Sequence, residues 1–347
     1  MRPMMSEQVR NVRVWWFAAG YFATYVPYAL LTKAVTSGEV TGQPWSGTAV
    51  LPLATATSML AMLAVVSLLG WWRFAASTTI GRLRLPRPRV VTALSGLATG
   101  VIVLTTTLAY AFDGVSILFA MMLMRGGVLL LAPLVDQLTG RPASTIPWWS
   151  WVGSGLALVA LVIAFLEDGV ARLSLAAGID IGLYLAAYFF RLRWMSLHAK
   201  GAGPDARARR IAFFVEEQMV ATPVAMVGLV VLAVLLPGGF GDALRVGFTE
   251  IWQHPEVLAL IVVLGLCSQG TGTFGALVLL EPQENAYTVP VNRASSVLAG
   301  VVASVLLVLI FGGESPSGYE IAGSCIVLLA IMVLAWPTLV PSARRRA

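Results

Sequence analysis

The chain has 347 residues, of which 58% are hydrophobic and only 12% are charged. Soluble domains carry about 25% charged residues, so this composition excludes an ordinary soluble protein. The net charge of +6 would suit a nucleic-acid-binding protein, but the basic residues cluster between apolar segments, which favours a membrane orientation signal instead.

Apolar segments long enough to cross a membrane recur along the whole chain. A helix needs about 20 mostly apolar residues to span the hydrocarbon core of a bilayer, and these segments reach that length. The sequence therefore predicts an all-α integral membrane protein with ten transmembrane helices. The predicted spans cover residues 14–35, 48–72, 90–111, 114–136, 146–166, 173–195, 211–236, 256–280, 285–312 and 319–339.

The distribution of Lys and Arg predicts the orientation of these spans. If the N-terminus is cytoplasmic, 18 of the 23 basic residues, Arg191 among them, fall in cytoplasmic segments or at the span ends that adjoin them, three in outer segments or at outer span ends, and two deep inside spans. Cytoplasmic loops of membrane proteins carry such an excess of basic residues. Because the number of spans is even, the C-terminus is expected to be cytoplasmic as well. We expect a multi-pass protein of the bacterial cytoplasmic (inner) membrane.

Two arginines lie inside apolar spans, one in each half of the chain. Eleven residues separate Asp113 from Arg125, and eleven separate Glu281 from Arg293. A charged side chain at the centre of a bilayer costs about 2.5–3.5 kcal/mol, so such residues usually mark a functional site. Their matched positions predict a site shared by two related halves.

Other spacings also match between the halves. The distance of 13 positions from Gly20 to Lys33 recurs from Gly178 to Arg191. Since each half holds five spans, the second half enters the membrane in the opposite sense, which makes the predicted 5+5 repeat inverted. Inverted repeats place a binding site near the midplane, where the halves meet. The predicted organisation is a cytoplasmic tail 1–13, a first five-helix repeat 14–166, a second repeat 167–339 and a basic cytoplasmic tail 340–347.

Two segments carry a resemblance to a known family. The fourth span contains LMRGGVLLLAPLVDQLTGR and the ninth contains VPVNRASSVLAGVVASVLL, and each precedes an apolar helix that opens with Gly-Ser. Together with the 5+5 arrangement, they resemble the drug/metabolite transporter superfamily with its EamA-like repeats. The resemblance implies a ten-helix transporter whose fourth and ninth helices line a central cavity. It also implies that Arg125 and Arg293 face that cavity.

The residues around Arg293 indicate what the cavity would bind. Asn292 and Arg293 resemble the Asn-Lys end of the GALNK signature of nucleotide-sugar transporters, although Val-Pro-Val replaces Gly-Ala-Leu before them. Two guanidinium groups that converge on a water-filled cavity would bind a carboxylate or phosphate bidentately. The sequence leaves open a second interpretation, in which Arg125 and Arg293 pair with membrane carboxylates or cap a broken helix.

Neutral polar and aromatic residues complete the predicted substrate site. Asn292 and Gln269, the latter in the most polar stretch of the eighth span, would give polar contacts. Tyr28 and Tyr188, on the paired first and sixth spans, would stack on a substrate or hydrogen-bond to it. The alternative for both tyrosines is a role in packing or at the membrane interface.

Carboxylates inside spans are candidates for coupling or counter-ion roles. Asp180 lies in the sixth span, and Glu216 and Glu217 lie in the seventh. Adjacent helix positions point about 100° apart, so we expect at most one of the two glutamates to face the cavity, and we favour Glu217. Asp180 or Glu217 would either carry a proton, the common role of an intramembrane carboxylate, or neutralise a buried arginine.

We therefore expect a secondary-active transporter that moves a small organic, anionic metabolite by alternating access. The alternatives are a multidrug or amino-acid exporter with structural arginines, and a membrane scaffold protein without transport activity. No catalytic set or metal-ligand cluster is readable, so we expect neither an enzyme nor a cofactor. The expected partners are a small-molecule substrate and the lipid bilayer, but not nucleic acid. The sequence leaves a homodimer open, because glycine spacing of the Gly-x-x-x-Gly type is too common in membrane helices to predict one.

Overall fold

The computed structural model describes residues 3–108, 117–139, 148–166, 175–201 and 203–312, with scattered positions between 318 and 333. This part of the chain is built almost entirely of α-helices, as the composition predicts. The helices are α1 (Pro3–Ser37), α2 (Gly47–Leu68), α3 (Val90–Leu108), α4 (Ile117–Leu138), α5 (Trp148–Leu166), α6 (Leu175–His198), α7 (Ala206–Leu235), α8 (Gly239–Thr249), α9 (Pro255–Leu279) and α10 (Asn285–Phe311).

Nine of the ten predicted spans coincide with described helices. The largest difference is at the N-terminus, where α1 begins at Pro3 and so includes most of the segment predicted as a tail. The predicted span 319–339 lies largely outside the described residues, and the predicted tail 340–347 lies wholly outside them. The predicted boundary between the two repeats, between residues 166 and 167, coincides with the end of a described segment. Within the described part, four helices are long and apolar enough to cross a membrane: α2, α7, α9 and α10. The fold is therefore that of a helical, membrane-embedded protein.

Two short elements were not predicted from the sequence. The basic segment after α2 forms a two-stranded antiparallel hairpin, β1 (Ser77–Ile80) and β2 (Leu83–Pro86). Its turn contains Gly81 at φ 62°, a left-handed conformation that glycine adopts without a steric cost. The other element is α8, an 11-residue helix between α7 and α9 that packs on α2 and α7.

Capping residues define several helix ends. The Ser46 side chain accepts a hydrogen bond from the N–H of Thr48 at the start of α2, an arrangement for which serine is favoured. The C-terminal end of a different helix, α10, lies at Gly312, which has a φ of 71°. A left-handed glycine at this position satisfies the last helical carbonyls.

The described helices pack around one centre. Helix α1 packs on α9 and α10, α3 on α6 and α7, α2 on α9, and α4 on α6 and α10. Glycines permit the closest contacts, because a Cβ atom at Gly96 of α3 would lie 2.5 Å from the carbonyl oxygen of Glu217 in α7. One at Gly100 would lie 2.5 Å from Val224 Cγ1. The Gly-x-x-x-Gly spacing thus brings α3 against the backbone of α7, as small residues do in membrane helix pairs.

Hydrogen bonds to carboxylates join several helices at one end of the bundle. We call the end at which α6 stops and α7 and α10 start the basic end, and the end at which α2 and α9 start the far end. At the basic end, Arg13 of α1 donates hydrogen bonds of 2.8 and 3.0 Å to Glu281. At the same end, Asp136 of α4 accepts a hydrogen bond of 2.8 Å from the N–H of Ala286, in the first turn of α10. A negative charge at this position stabilises the N-terminus of the helix. These contacts tie the helix ends together.

Candidate functional site

A cavity of about 400 Å³ lies between α1, α2, α3, α6, α7, α9 and α10. Its lining extends from Gly47, an exposed residue at the far end, to Leu279, which is buried at the last turn of α9. Among the described residues, the charged side chains in its wall are Arg191 of α6 and Arg293 of α10. The neutral polar side chains of the wall include those of Tyr21, Tyr28, Tyr188, Gln218, Gln269 and Asn292.

Arg293 makes no ion pair within the described part of the chain. Its guanidinium carbon lies 4.9 Å from the ring centroid of Tyr188, within cation–π distance, and the phenols of Tyr21 and Tyr184 lie nearby. The Nε atom is buried without a hydrogen-bond partner among these residues. A buried donor without an acceptor costs about 1–3 kcal/mol, so a ligand oxygen that reached it would be bound favourably.

Arg191, in the wall of the cavity, is paired with Glu217 of α7. Its Nε and Nη2 atoms donate to the two carboxylate oxygens at 2.9 and 3.0 Å. One of these oxygens also accepts hydrogen bonds from the hydroxyls of Ser95 at 2.6 Å and Thr99 at 3.1 Å, both on α3. Both charged side chains are almost fully buried. Three helices therefore meet at one neutralised ion pair.

The predicted amides form a polar seam between helices. Gln269 of α9 accepts a hydrogen bond of 3.0 Å from Ser58 of α2 and donates one of 3.0 Å to Thr273. The Asn292 amide donates to the carbonyl oxygen of Gly275 at 3.3 Å. Both amides line the cavity, and these hydrogen bonds hold them in fixed orientations in its wall.

The other predicted site residues are divided between the cavity and its surroundings. Tyr28 and Tyr188 line the cavity together with Arg293, whereas Glu217 lies beneath it as the partner of Arg191. Asp180 is 4% exposed and does not line the cavity; neither of its carboxylate oxygens has a hydrogen-bond partner among the described residues. The side chain of Arg125, on α4, lies outside the described part, so its predicted approach to the cavity stays a prediction.

Glu216 points away from the cavity and holds the hairpin segment to α7. It accepts hydrogen bonds from the guanidinium of Arg89 at 3.0 and 3.1 Å, and from the backbone N–H groups of Ala76 at 2.9 Å and Arg89 at 3.0 Å. A further bond of 2.7 Å comes from the Thr92 hydroxyl. The adjacent Glu216 and Glu217 thus serve different partners, as their angular separation on a helix requires.

Arg191 is a charged residue of the cavity wall that the sequence analysis did not assign to the site. We counted it among the cytoplasmic basic residues, yet it lies on α6, is 6% exposed and lines the cavity. Two signals pointed to it: its place inside the predicted span 173–195, and the spacing that matches it to Lys33.

The fold is similar to that of solved structures. In one of them, described only as the crystal structure of a protein, the match covers 94% of this chain and 99% of the other, with a TM-score of 0.53 and 15% sequence identity. At this identity the likeness concerns the fold alone. No family model matches this chain, and neither does any curated protein.

Proposed function

We propose that the chain is a secondary-active membrane transporter that moves a small organic anion by alternating access. The observation that carries this proposal is Arg293, whose Nε atom is buried at the cavity without a partner among the described residues. A protein rarely keeps a charge inside a membrane domain unless the charge has a function. An anion that enters from the far end would be bound by this guanidinium.

The packing of the helices supports the inverted repeat that such a mechanism needs. If α1, α2, α3 and α4 correspond to α6, α7, α9 and α10, the pair α3–α7 corresponds to α9–α2, and α1–α9 corresponds to α6–α3. By the same exchange, α1–α10 corresponds to α6–α4. Each of these pairs is present together with its counterpart.

Individual residues agree with this correspondence. A Cβ atom at Gly96 of α3 would meet the backbone oxygen of Glu217 and, three residues later in α7, the side chain of Val220. A Cβ atom at Gly265 of α9 would likewise meet the backbone oxygen of Ala54 and, three residues later in α2, the side chain of Thr57. The counterpart of Glu217 is therefore Ala54.

The two ends of the cavity support alternating access. Toward the basic end the lining stops at the buried Leu279, and it includes Arg191, whose pair with Glu217 joins α6 to α7; at the far end the lining reaches the exposed Gly47. In an inverted repeat, exchange of the two conformations of the halves would close the far end and open the basic end. The resemblance to drug/metabolite transporters agrees with this function.

Counter-flow in proteoliposomes tests the proposal. Purified protein would be reconstituted into liposomes, and these would be loaded in turn with unlabelled carboxylates, sugar phosphates or nucleotides. Uptake of the same anion in labelled form from the outside would then be measured. We expect counter-flow for at least one class, and a loss of at least about tenfold in Arg293→Gln, because hydrogen bonds to charged groups contribute about 1.5–3 kcal/mol. Arg82→Gln, at the exposed turn of the hairpin, is the matched control and should transport like the parent. Unchanged transport by Arg293→Gln would refute the role of this residue.

A further inference from the structure

The two arginines of the cavity differ in the charge that they present to a ligand. The Arg191 side chain is 7% exposed and its partner Glu217 is 0% exposed. The two hydrogen bonds between them, with those from Ser95 and Thr99, use both carboxylate oxygens. An opposite charge at hydrogen-bond distance cancels most of the field of Arg191, so this residue adds little positive charge to the cavity.

Arg293, in contrast, keeps its full charge. Its described neighbours are the aromatic ring of Tyr188 at 4.9 Å, the phenols of Tyr21 and Tyr184, and Arg191, whose charge is already balanced by Glu217. The nearby amides of Asn292 and Gln269 are neutral as well. The described wall of the cavity therefore carries one uncompensated positive charge.

We infer that the cavity selects molecules with a single negative charge, such as a small monocarboxylate, in preference to dianions and neutral molecules. This inference rests on the proposed transport function, because it specifies the charge of the transported substrate. The second negative charge of a dianion would be buried without a counter-charge, which costs several kcal/mol. A neutral molecule would leave the guanidinium unpaired.

The rest of the wall indicates the body of such a substrate. Apart from the polar groups already described, the wall is formed by aliphatic side chains, by the rings of Tyr21 and Tyr28, and by the hydroxyl side chains of Ser268 and five threonines. A volume of about 400 Å³ lies in the range of cavities that enclose small organic ligands. A carboxylate at Arg293 would place the body of the molecule between the tyrosine rings of α1 and the hydroxyl and amide side chains of α9, on the side of the far end.

Binding of three molecules that share one ring system tests this charge selection. Purified protein in detergent would be titrated calorimetrically with 2-naphthoate, with its neutral amide and with naphthalene-2,6-dicarboxylate. We expect 2-naphthoate to bind at least about tenfold more tightly than the other two. Equal or tighter binding of the dicarboxylate or the amide would overturn the inference, and so would the absence of binding by all three.

Two variants change the charge in opposite directions. Glu217→Gln frees the charge of Arg191, and we expect it to move the preference toward the dicarboxylate. Arg293→Gln removes the charge of Arg293, and we expect it to abolish 2-naphthoate binding while binding of the amide is retained. Helical circular dichroism and a single gel-filtration peak would verify folding of each variant. If the preference order stays the same in both folded variants, the charge count is wrong.

The outcome for charge selection is separable from that for transport. If a dianion such as a sugar phosphate shows counter-flow that depends on Arg293, the protein is a transporter but the monoanion inference fails. If 2-naphthoate binds with the expected preference but no anion shows counter-flow, the binding site stands and the transport function fails.

Discussion

Arg191 of α6 and Glu217 of α7 form a buried ion pair through two hydrogen bonds of 2.9 and 3.0 Å beside the cavity. The pair stands beside Arg293, which has no such partner in the described part of the chain. Two arginines in one wall thus have different roles: one joins helices, and the other is available to a ligand.

The Arg191–Glu217 pair should show strong energetic coupling. Either Arg191→Ala or Glu217→Ala leaves a buried charge unpaired, which we expect to cost about 3–5 kcal/mol of folding free energy. The double variant removes both charges and should cost less than the sum of the single variants, with an interaction energy of up to about 3 kcal/mol. Unfolding in detergent would measure the cycle. Additive effects would mean that the pair contributes nothing as a unit.

Loss of Glu217 should also open the basic end. In the proposed inverted repeat the counterpart of Glu217 is Ala54, which carries no charge that could stabilise closure of the far end, so Glu217→Ala should shift the population toward a cavity open at the basic end. A single cysteine at Ser268, which lines the cavity, would be introduced with Cys267→Ser and Cys325→Ser. In the parent, a membrane-impermeant maleimide should label this cysteine only from the side of the membrane that faces the far end. After Glu217→Ala, it should label the cysteine from both sides.

Glu250→Ala removes an exposed glutamate near the far end and serves as the control for this labelling. It should leave the sidedness of the parent unchanged. If Glu217→Ala is labelled only from the far side, the ion pair does not control access.

The contact between α3 and α7 should not tolerate a methyl group at Gly96. Its Cβ would lie 2.5 Å from the Glu217 carbonyl oxygen, a backbone atom that cannot move aside, so Gly96→Ala should destabilise the fold by about 1–3 kcal/mol. A Cβ at Gly182 of α6 would meet no atom within 4 Å. Gly182→Ala should therefore be neutral or stabilising by up to about 1 kcal/mol. Thermal unfolding would compare the two, and equal stabilities would argue against the close approach.

The hairpin should loosen when Glu216 loses its charge. Glu216→Gln replaces the charged acceptor of Arg89, and such bonds contribute about 1.5–3 kcal/mol, so local opening should increase at least about tenfold. Limited trypsin digestion at Arg82, in the hairpin turn, would report it as faster cleavage. Glu39→Gln, at an exposed glutamate, should leave the cleavage rate as in the parent. An unchanged rate in Glu216→Gln would show that the hairpin is held by other contacts.

Much of the fold follows from short stretches of sequence. Apolar segments of helical length predict nine of the described helices, because helix formation depends on neighbours within one or two turns. The hairpin and α8 escape this pattern, since both are short and lack a long apolar run. Arg293 could be recognised as a functional candidate from its place in an apolar segment, and the matched spacings indicated two related halves.

The sequence by itself determined the helical membrane-embedded character of this protein and the presence of charges inside it. Only the tertiary structure decided which charges cancel. Arg191 meets Glu217 across 26 positions, and Gln269 meets Ser58 across 211. Such pairs depend on how each helix is rotated and how closely it approaches its neighbour, which glycines such as Gly96 set through packing. No local pattern encodes that rotation, so the free charge of Arg293 emerges only when the helices are assembled.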